Sequence, residues 1–281
     1  MTRCMVDGLP ADTVPLSDRG GAYGHGLFET LLLHNRSIPL WQQHSRRLVA
    51  DAQVLGIKVS PTRLQTHLDA FLGGLSGDQL RDGIIKIIVT AGSGGRGYSS
   101  PVNMTPRIIC QYFELPANVQ QQRREGITLT SCHYRLPINP ALAGIKHLNR
   151  LDQVMARAEW VDDFDDGIMF STEGLAVETT RANLFLKGAD GWITPVLDKA
   201  GVRGVMRALL LDELFASCGL AVRQTTLTRE QVAEANELFV CSAVRGVVPV
   251  IAATECGALA IGDDTRVLQT ALHKHCDSFP C

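Results

Sequence analysis

A chain of 281 residues exceeds what a single hydrophobic core usually organises, so two lobes with separate cores are expected. Hydrophobic residues make up 45% and charged residues 20%, the balance of a folded globular protein rather than a disordered or fibrous one. The formal net charge of -2, with arginines scattered along the chain, excludes an electrostatic case for nucleic acid or an acidic membrane as partner.

No stretch approaches the roughly 20 apolar residues of a membrane helix. The polar start MTRCMVDGLPADTV lacks the apolar centre of a signal peptide. Cys110, Cys132, Cys218 and Cys241 sit inside apolar runs, where a free cysteine behaves as a small hydrophobe. There is no C-x-x-C and no Cys/His spacing of a zinc site, so no metal centre is expected. A reducing cytoplasm is the expected compartment, with Cys276 and Cys281 as the most reactive thiols.

Residues 1–115 form the expected N-terminal α/β domain. Leu48, Ala52 and Leu55 recur at helical spacing, and Ser60-Pro61 announces a second helix carrying Leu64, Leu68, Phe71 and Leu75. IIKIIVT (84–90) and RIICQYF (107–113) read as strands. Between them lies AGSGGRGYSSPVNMTP, too long for a turn and of the kind that carries function. The polar stretch 116–126 reads as a linker, and 127–281 as the C-terminal domain.

In that domain ITLTSCH reads as a strand, and NRLDQVMARAEWV as an amphipathic helix using Leu151, Val154, Met155 and Ala158 as its apolar face. Short strands are predicted at 168–172, 175–178, 183–187 and 192–194. A helix over 203–218 ends at Gly219, and Thr228 with Gln231 forms a capping-box pattern. ELFVCS and VVPVIAA read as strands and 264–276 as a last helix. The fold class is mixed α/β (α+β), with many short strands in the larger second lobe and no internal repeat.

Lysine is scarce: Lys58, Lys86, Lys146, Lys187, Lys199 and Lys274. Two stand out as nucleophiles. Lys86 interrupts an apolar strand, and Lys146 lies in AGIKHLNRL just before a predicted helix. A Schiff-base lysine must spend time as the free amine, which requires partial burial or a neighbouring cation. Pattern alone leaves the choice between them open.

Six segments occur in order: DRGGAYGHGLFET (18–30), HSRRL (44–48), GSGGRGY (92–98), AGIKHLNRLDQV (143–154), ETTRANLFL (178–186) and TPVLDKAGVRGVMR (194–207). Together they resemble the fold-type IV pyridoxal-phosphate enzymes, which comprise branched-chain aminotransferases, D-amino-acid aminotransferases and 4-amino-4-deoxychorismate lyase. The resemblance implies a two-lobed fold with pyridoxal 5'-phosphate as cofactor and a homodimeric assembly. It makes Lys146 the Schiff-base lysine and proton shuttle. Glu178 becomes the acid on the pyridine nitrogen, although by itself it reads as a surface carboxylate at a strand end. Arg47 becomes the phosphate arginine, with Arg46 as the solvent-facing neighbour. The backbone of Val202 and Arg203, at a helix opening, would meet the same phosphate.

Two departures stand out. Ala243 occupies a position where aminotransferases tend to have a phosphate-binding threonine, so Ser242 or main-chain groups would substitute there. His25 stands where many relatives carry an acid, and no role is assigned to it.

GSGGRGYS and AGIKHLNRLDQV look most like the lyase branch of the group. Thr30 matches a threonine implicated in lyase chemistry, and Arg96 an arginine for a substrate carboxylate, a task that suits its planar two-pronged donor. The implied reaction releases 4-aminobenzoate and pyruvate, a step of folate biosynthesis on a small-molecule substrate. A D-amino-acid or branched-chain aminotransferase is the alternative.

Overall fold

The computed structural model describes residues 4–101 and 103–279, so Cys281 lies outside the described residues. The chain divides into two units, Met1–Leu115 with Lys146–Asn149, and Pro116–Ile145 with Arg150–Cys281.

The first unit contains β1 (Cys4–Val6), β2 (Leu9–Pro10), α1 (Arg19–Tyr23), β3 (Gly26–His34), α2 (Trp41–Val54), α3 (Pro61–Gly73), β4 (Asp82–Thr90) and β5 (Arg107–Phe113). Its five strands form an antiparallel sheet in the order β2-β1-β5-β4-β3. Strict alternation along β4 buries Ile85, Ile87 and Val89 on one face and leaves Ile84, Lys86 and Ile88 half-buried on the other. The buried face takes Leu48 and Ala52 of α2 and Leu64, Leu68 and Phe71 of α3, as their helical spacing predicts. Ser60 caps α3, its hydroxyl accepting the Arg63 N–H at 3.2 Å, and Pro61 occupies the first turn.

The second unit contains α4 (Val119–Glu125), β6 (Ile127–Leu136), α5 (Leu151–Arg157), β7 (Asp166–Ser171), β8 (Ala176–Thr179), β9 (Asn183–Gly188), β10 (Gly191–Pro195), α6 (Val205–Leu209), α7 (Phe215–Ser217), β11 (Val222–Thr225), α8 (Arg229–Ala233), β12 (Glu237–Ser242), β13 (Gly246–Ala253), β14 (Gly257–Ala258) and α9 (Asp263–His275). A π-helical turn at Leu210–Leu214 joins α6 to α7, so the predicted 203–218 helix is one run from Val205 to Ser217 with a bulge. The sheet runs β11-β10-β9-β12-β13-β6-β7-β8, with β14 beside β13. Thr228 and Gln231 form the predicted capping box of α8.

Leu184, Leu186, Leu238, Val240, Val248 and Val250 of the central strands are among the residues of one core cluster. On the other side Phe239 lies between Phe185 and Trp192, at ring distances of 4.8 and 5.0 Å, and Phe215 completes the group. Deleting the fully buried Phe239 ring leaves a void the stacked neighbours cannot fill. Phe239→Ala is therefore expected to cost about 3–5 kcal/mol, read from the shift of the urea unfolding midpoint.

Among the elements of this unit, two expectations differ in kind from the structure. The 116–126 stretch, expected as a linker, carries α4 and belongs to the second unit. Val119, Gln122 and Arg123 are buried there, and Arg123 donates to the carbonyls of Arg245 (2.6 Å) and Val244 (3.0 Å). Its core-facing side is mostly polar, which hides it from a hydrophobicity pattern. In α5 the expected apolar face points outward: Leu151, Val154 and Met155 are 74%, 59% and 55% exposed, while the small Ala156 is buried.

The described cysteines are all free thiols. Cys110, Cys132 and Cys241 are buried, and Cys218 is only partly so. Burial pushes the Cys110 and Cys132 thiols up to about 12, which makes them inert packing groups. No helix among the described residues is long and apolar enough to cross a membrane.

Candidate active site

Lys146 owes its place to strand pairing. The segment Lys146–Leu148 lies antiparallel along the edge of β3. The Phe28 N–H donates to the Lys146 carbonyl and the Leu148 N–H to the Gly26 carbonyl, both at 3.0 Å. Leu27 is thus opposite His147, which places Lys146 opposite Phe28 on the same face of the sheet. The Lys146 N–H also donates to Asp51 Oδ2 of α2 at 3.2 Å. Gly26 permits this approach, because a Cβ there would lie 2.7 Å from the Leu148 side chain and 2.6 Å from the Val89 carbonyl.

The half-buried Lys146 places Nζ 4.3 Å from the Phe28 ring centroid, a cation–π contact. Lys86, directly opposite Thr30 in the β3–β4 ladder, brings its own Nζ to 5.2 Å from the same ring. The two lysines left open by the sequence therefore share one sheet face with Thr30, gathered around one aromatic ring.

Arg47 lies on α2. Its Nε and Nη2 donate to Glu29 Oε1 and Oε2 at 2.8 and 2.5 Å, a two-pronged pairing with a fully buried carboxylate. His44, one helical turn away, donates from Nδ1 to the same Oε2 at 2.7 Å. Burial alone would raise the Glu29 carboxyl, but the Arg47 charge and the His44 contact pull it down to about 2. Burial lowers the His44 imidazole, against the pull of the Glu29 carboxylate. The sequence reading did not single out Glu29 or His44. The signals were a lone acid in the apolar strand GLFETLLLH and the i, i+3 spacing of His44 and Arg47. Arg46 is exposed, as expected.

Arg96 is exposed on the glycine-rich loop. The buried Arg19, another residue the sequence did not flag, pins that loop by donating to the carbonyls of Gly97 (3.0 Å) and Tyr98 (3.1 Å). The Tyr23 hydroxyl accepts the Gly97 N–H at 3.1 Å. His25 is part of this framework. Its Nδ1 accepts from Arg19 at 3.3 Å while its Nε2 donates to the Leu55 carbonyl at 2.9 Å.

In the second unit Glu178 is 5% exposed, not the surface carboxylate its position at a strand end suggests. Its Oε2 accepts the Val202 N–H at 2.8 Å. Gly201 makes room, for its φ is +85° and a Cβ there would lie 2.7 Å from Val177 and 2.9 Å from Leu197. Burial lowers the Arg150 guanidinium, and the nearby Glu178 and Asp152 charges oppose that shift.

The backbone donors expected to face a phosphate are engaged elsewhere. The Val202 N–H goes to Glu178, and the Arg203 N–H to the Gly144 carbonyl at 3.0 Å. The helix begins at Val205 rather than at Arg203, so Gly201–Arg203 is a bridged loop instead of a helix opening. Asn183 Nδ2 donates to the Val202 carbonyl at 2.8 Å and holds the loop from below. Ser242, at the end of β12, accepts the Arg245 N–H on its hydroxyl at 3.2 Å, which leaves the hydroxyl proton for another acceptor.

Residues 26–253 match the family described as Amino-transferase class IV. The chain is 37% identical over 273 residues to the aminodeoxychorismate lyase of Vibrio harveyi, covering 95% of this chain and 98% of the relative. It is similar to the crystal structure of 4-amino-4-deoxychorismate lyase from Pseudomonas aeruginosa, with a TM-score of 0.91 and 38% identity over 98% of this chain and 99% of that one. It is also 26% identical to the D-alanine aminotransferase of Bacillus licheniformis, over 92% of this chain and 90% of the relative. The chain belongs to the amino-transferase class IV family.

Proposed function

We propose that this member of the class IV family is an aminodeoxychorismate lyase, converting 4-amino-4-deoxychorismate into 4-aminobenzoate and pyruvate with pyridoxal 5'-phosphate as cofactor. The observation that carries the reading is the 37% identity to the Vibrio harveyi lyase over almost the whole of both chains.

The residues fit the cofactor chemically. A half-buried lysine rests on an aromatic face, a buried carboxylate is fixed by a backbone donor, and an arginine is oriented by a buried acid. Lys146 would hold the cofactor aldehyde, Glu178 the pyridine nitrogen and Arg47 the phosphate, with the Ser242 hydroxyl as a further phosphate donor. When bound, pyridoxal phosphate supplies an electron sink for the charge left by proton removal.

The chain's own groups do the rest. Lys146 Nζ takes the proton from the ring carbon bearing the amino group and returns it to the departing three-carbon unit, which leaves as pyruvate. Glu178 holds the pyridine nitrogen protonated. Thr30, on the same sheet face as Lys146, orients the leaving oxygen, and Arg96 meets a substrate carboxylate. Loss of the enolpyruvyl oxygen aromatises the ring, so positioning and proton transfer are the protein's main tasks.

The outward apolar face of α5, formed by Leu151, Val154 and Met155, supports a homodimer in which a second copy covers it. The free thiols of the described residues suit a reducing cytoplasm.

Purified protein given fresh aminodeoxychorismate is expected to form 4-aminobenzoate and pyruvate in equal amounts with no amino acid or keto acid added. Amino-group transfer from D-alanine or a branched-chain amino acid to a keto acid, without 4-aminobenzoate, would assign the chain to the aminotransferases instead.

A further inference from the structure

The buried cluster beneath Arg47 is built for orientation rather than for stability alone. An arginine that only neutralised a phosphate would not need a carboxylate of its own, and burying one is costly unless its oxygens are matched by donors. Here Glu29 accepts two bonds from Arg47 and one from His44, with 1% of its surface exposed. The Nε–Nη2 edge of the guanidinium is thereby fixed, and since the group is planar, so are its plane and its opposite edge.

His44 contributes one donor and no charge. Its Nε2 is buried and has no hydrogen-bond partner, so a second proton there would lack an acceptor. The tautomer is set by the carboxylate, and Glu29 and Arg47 remain a neutral pair.

We infer that Glu29 and His44 are positioning residues that set the orientation of Arg47 and through it the affinity for the phosphate group of the cofactor. This rests on the reading of Arg47 as the phosphate arginine. It predicts a loss specific to phosphate, which pyridoxal, lacking that group, reveals by comparison.

The full-length chain, freed of cofactor by dialysis, would be titrated with pyridoxal phosphate and separately with pyridoxal, following the fluorescence of its three tryptophans. Glu29→Gln and His44→Ala are each expected to weaken pyridoxal phosphate about 10- to 100-fold, the size of one lost charge-assisted hydrogen bond. Pyridoxal affinity should stay within about twofold on the same scale. His44→Asn, whose side-chain N–H takes the place of Nδ1–H, is expected to restore most of the loss. The two His44 variants carry the test if Glu29→Gln does not fold.

Arg47→Gln separates the two readings. If it lowers the preference for the phosphorylated form while the Glu29 and His44 variants do not, Arg47 stands and the positioning role is overturned. If it leaves the preference unchanged, the Arg47 reading falls and takes the inference with it. Equal losses for both compounds in the Glu29 and His44 variants would mean a general packing role and also overturn the inference.

Discussion

Lys146→Ala is expected to abolish turnover and covalent attachment of the cofactor together. Removing the group proposed to carry the proton is expected to cost about 10²- to 10⁴-fold on its own, and loss of the proposed attachment point adds to it. The substitution should not disturb the fold. The segment is held by main-chain bonds to Phe28 and Gly26 and by the Lys146 N–H to Asp51, none of which uses the lysine side chain. Borohydride reduction followed by peptide mass analysis reads the attachment directly. Lys86→Ala is the informative control, because its ammonium approaches the same Phe28 ring from the neighbouring strand. The cofactor mass should stay on the peptide containing Lys146 in that variant. Attachment that survives Lys146→Ala and disappears in Lys86→Ala would transfer the nucleophile to β4.

The second large effect is expected at Glu178. Glu178→Gln keeps an oxygen able to accept the Val202 N–H and keeps the volume that Gly201 accommodates, so the loop should retain its shape. What it removes is the charge proposed to hold a proton on the pyridine nitrogen. A charge-assisted hydrogen bond contributes about 1.5–3 kcal/mol, which corresponds to a fall in kcat of about 10- to 100-fold. Cofactor content, measured by absorbance of the released aldehyde, should be close to that of the unaltered protein. An unchanged kcat at full occupancy would remove Glu178 from the chemistry and leave it as the anchor of the Gly201–Arg203 loop.

Much of the framework was legible because it follows simple periodicities. Ile85, Ile87 and Val89 alternate with half-buried neighbours as a strand with one covered face requires, and Ser60-Pro61 starts α3 by cap and fixed φ. The departures share a physical origin. Arg123 of α4 reaches the interior by bonding to two carbonyls and Gln122 by donating to the Asp165 carboxylate, so no apolar stripe announces the helix. In α5 the stripe exists but faces outward, since periodicity reports an apolar face without saying which way it points.

The site shows the same division. Lys146 and Glu178 were picked out through the segments around them, not through their own surroundings, which depend on strand register and on a loop brought against β8. Glu29 and His44 matter through a three-residue contact between β3 and α2. Only the fold brings such residues together.

Because side chains alternate across a strand, the pairing of Lys146–Leu148 with Gly26–Phe28 works as a parity check on the chain. One residue gained or lost just before Lys146 could leave the backbone ladder able to re-form, yet it would present a different side chain beside Phe28. The exposed 95–100 segment of the glycine-rich loop pairs with no strand, and there insertions alter reach rather than facing. In this region, change by insertion or deletion is filtered by odd and even before it is filtered by size.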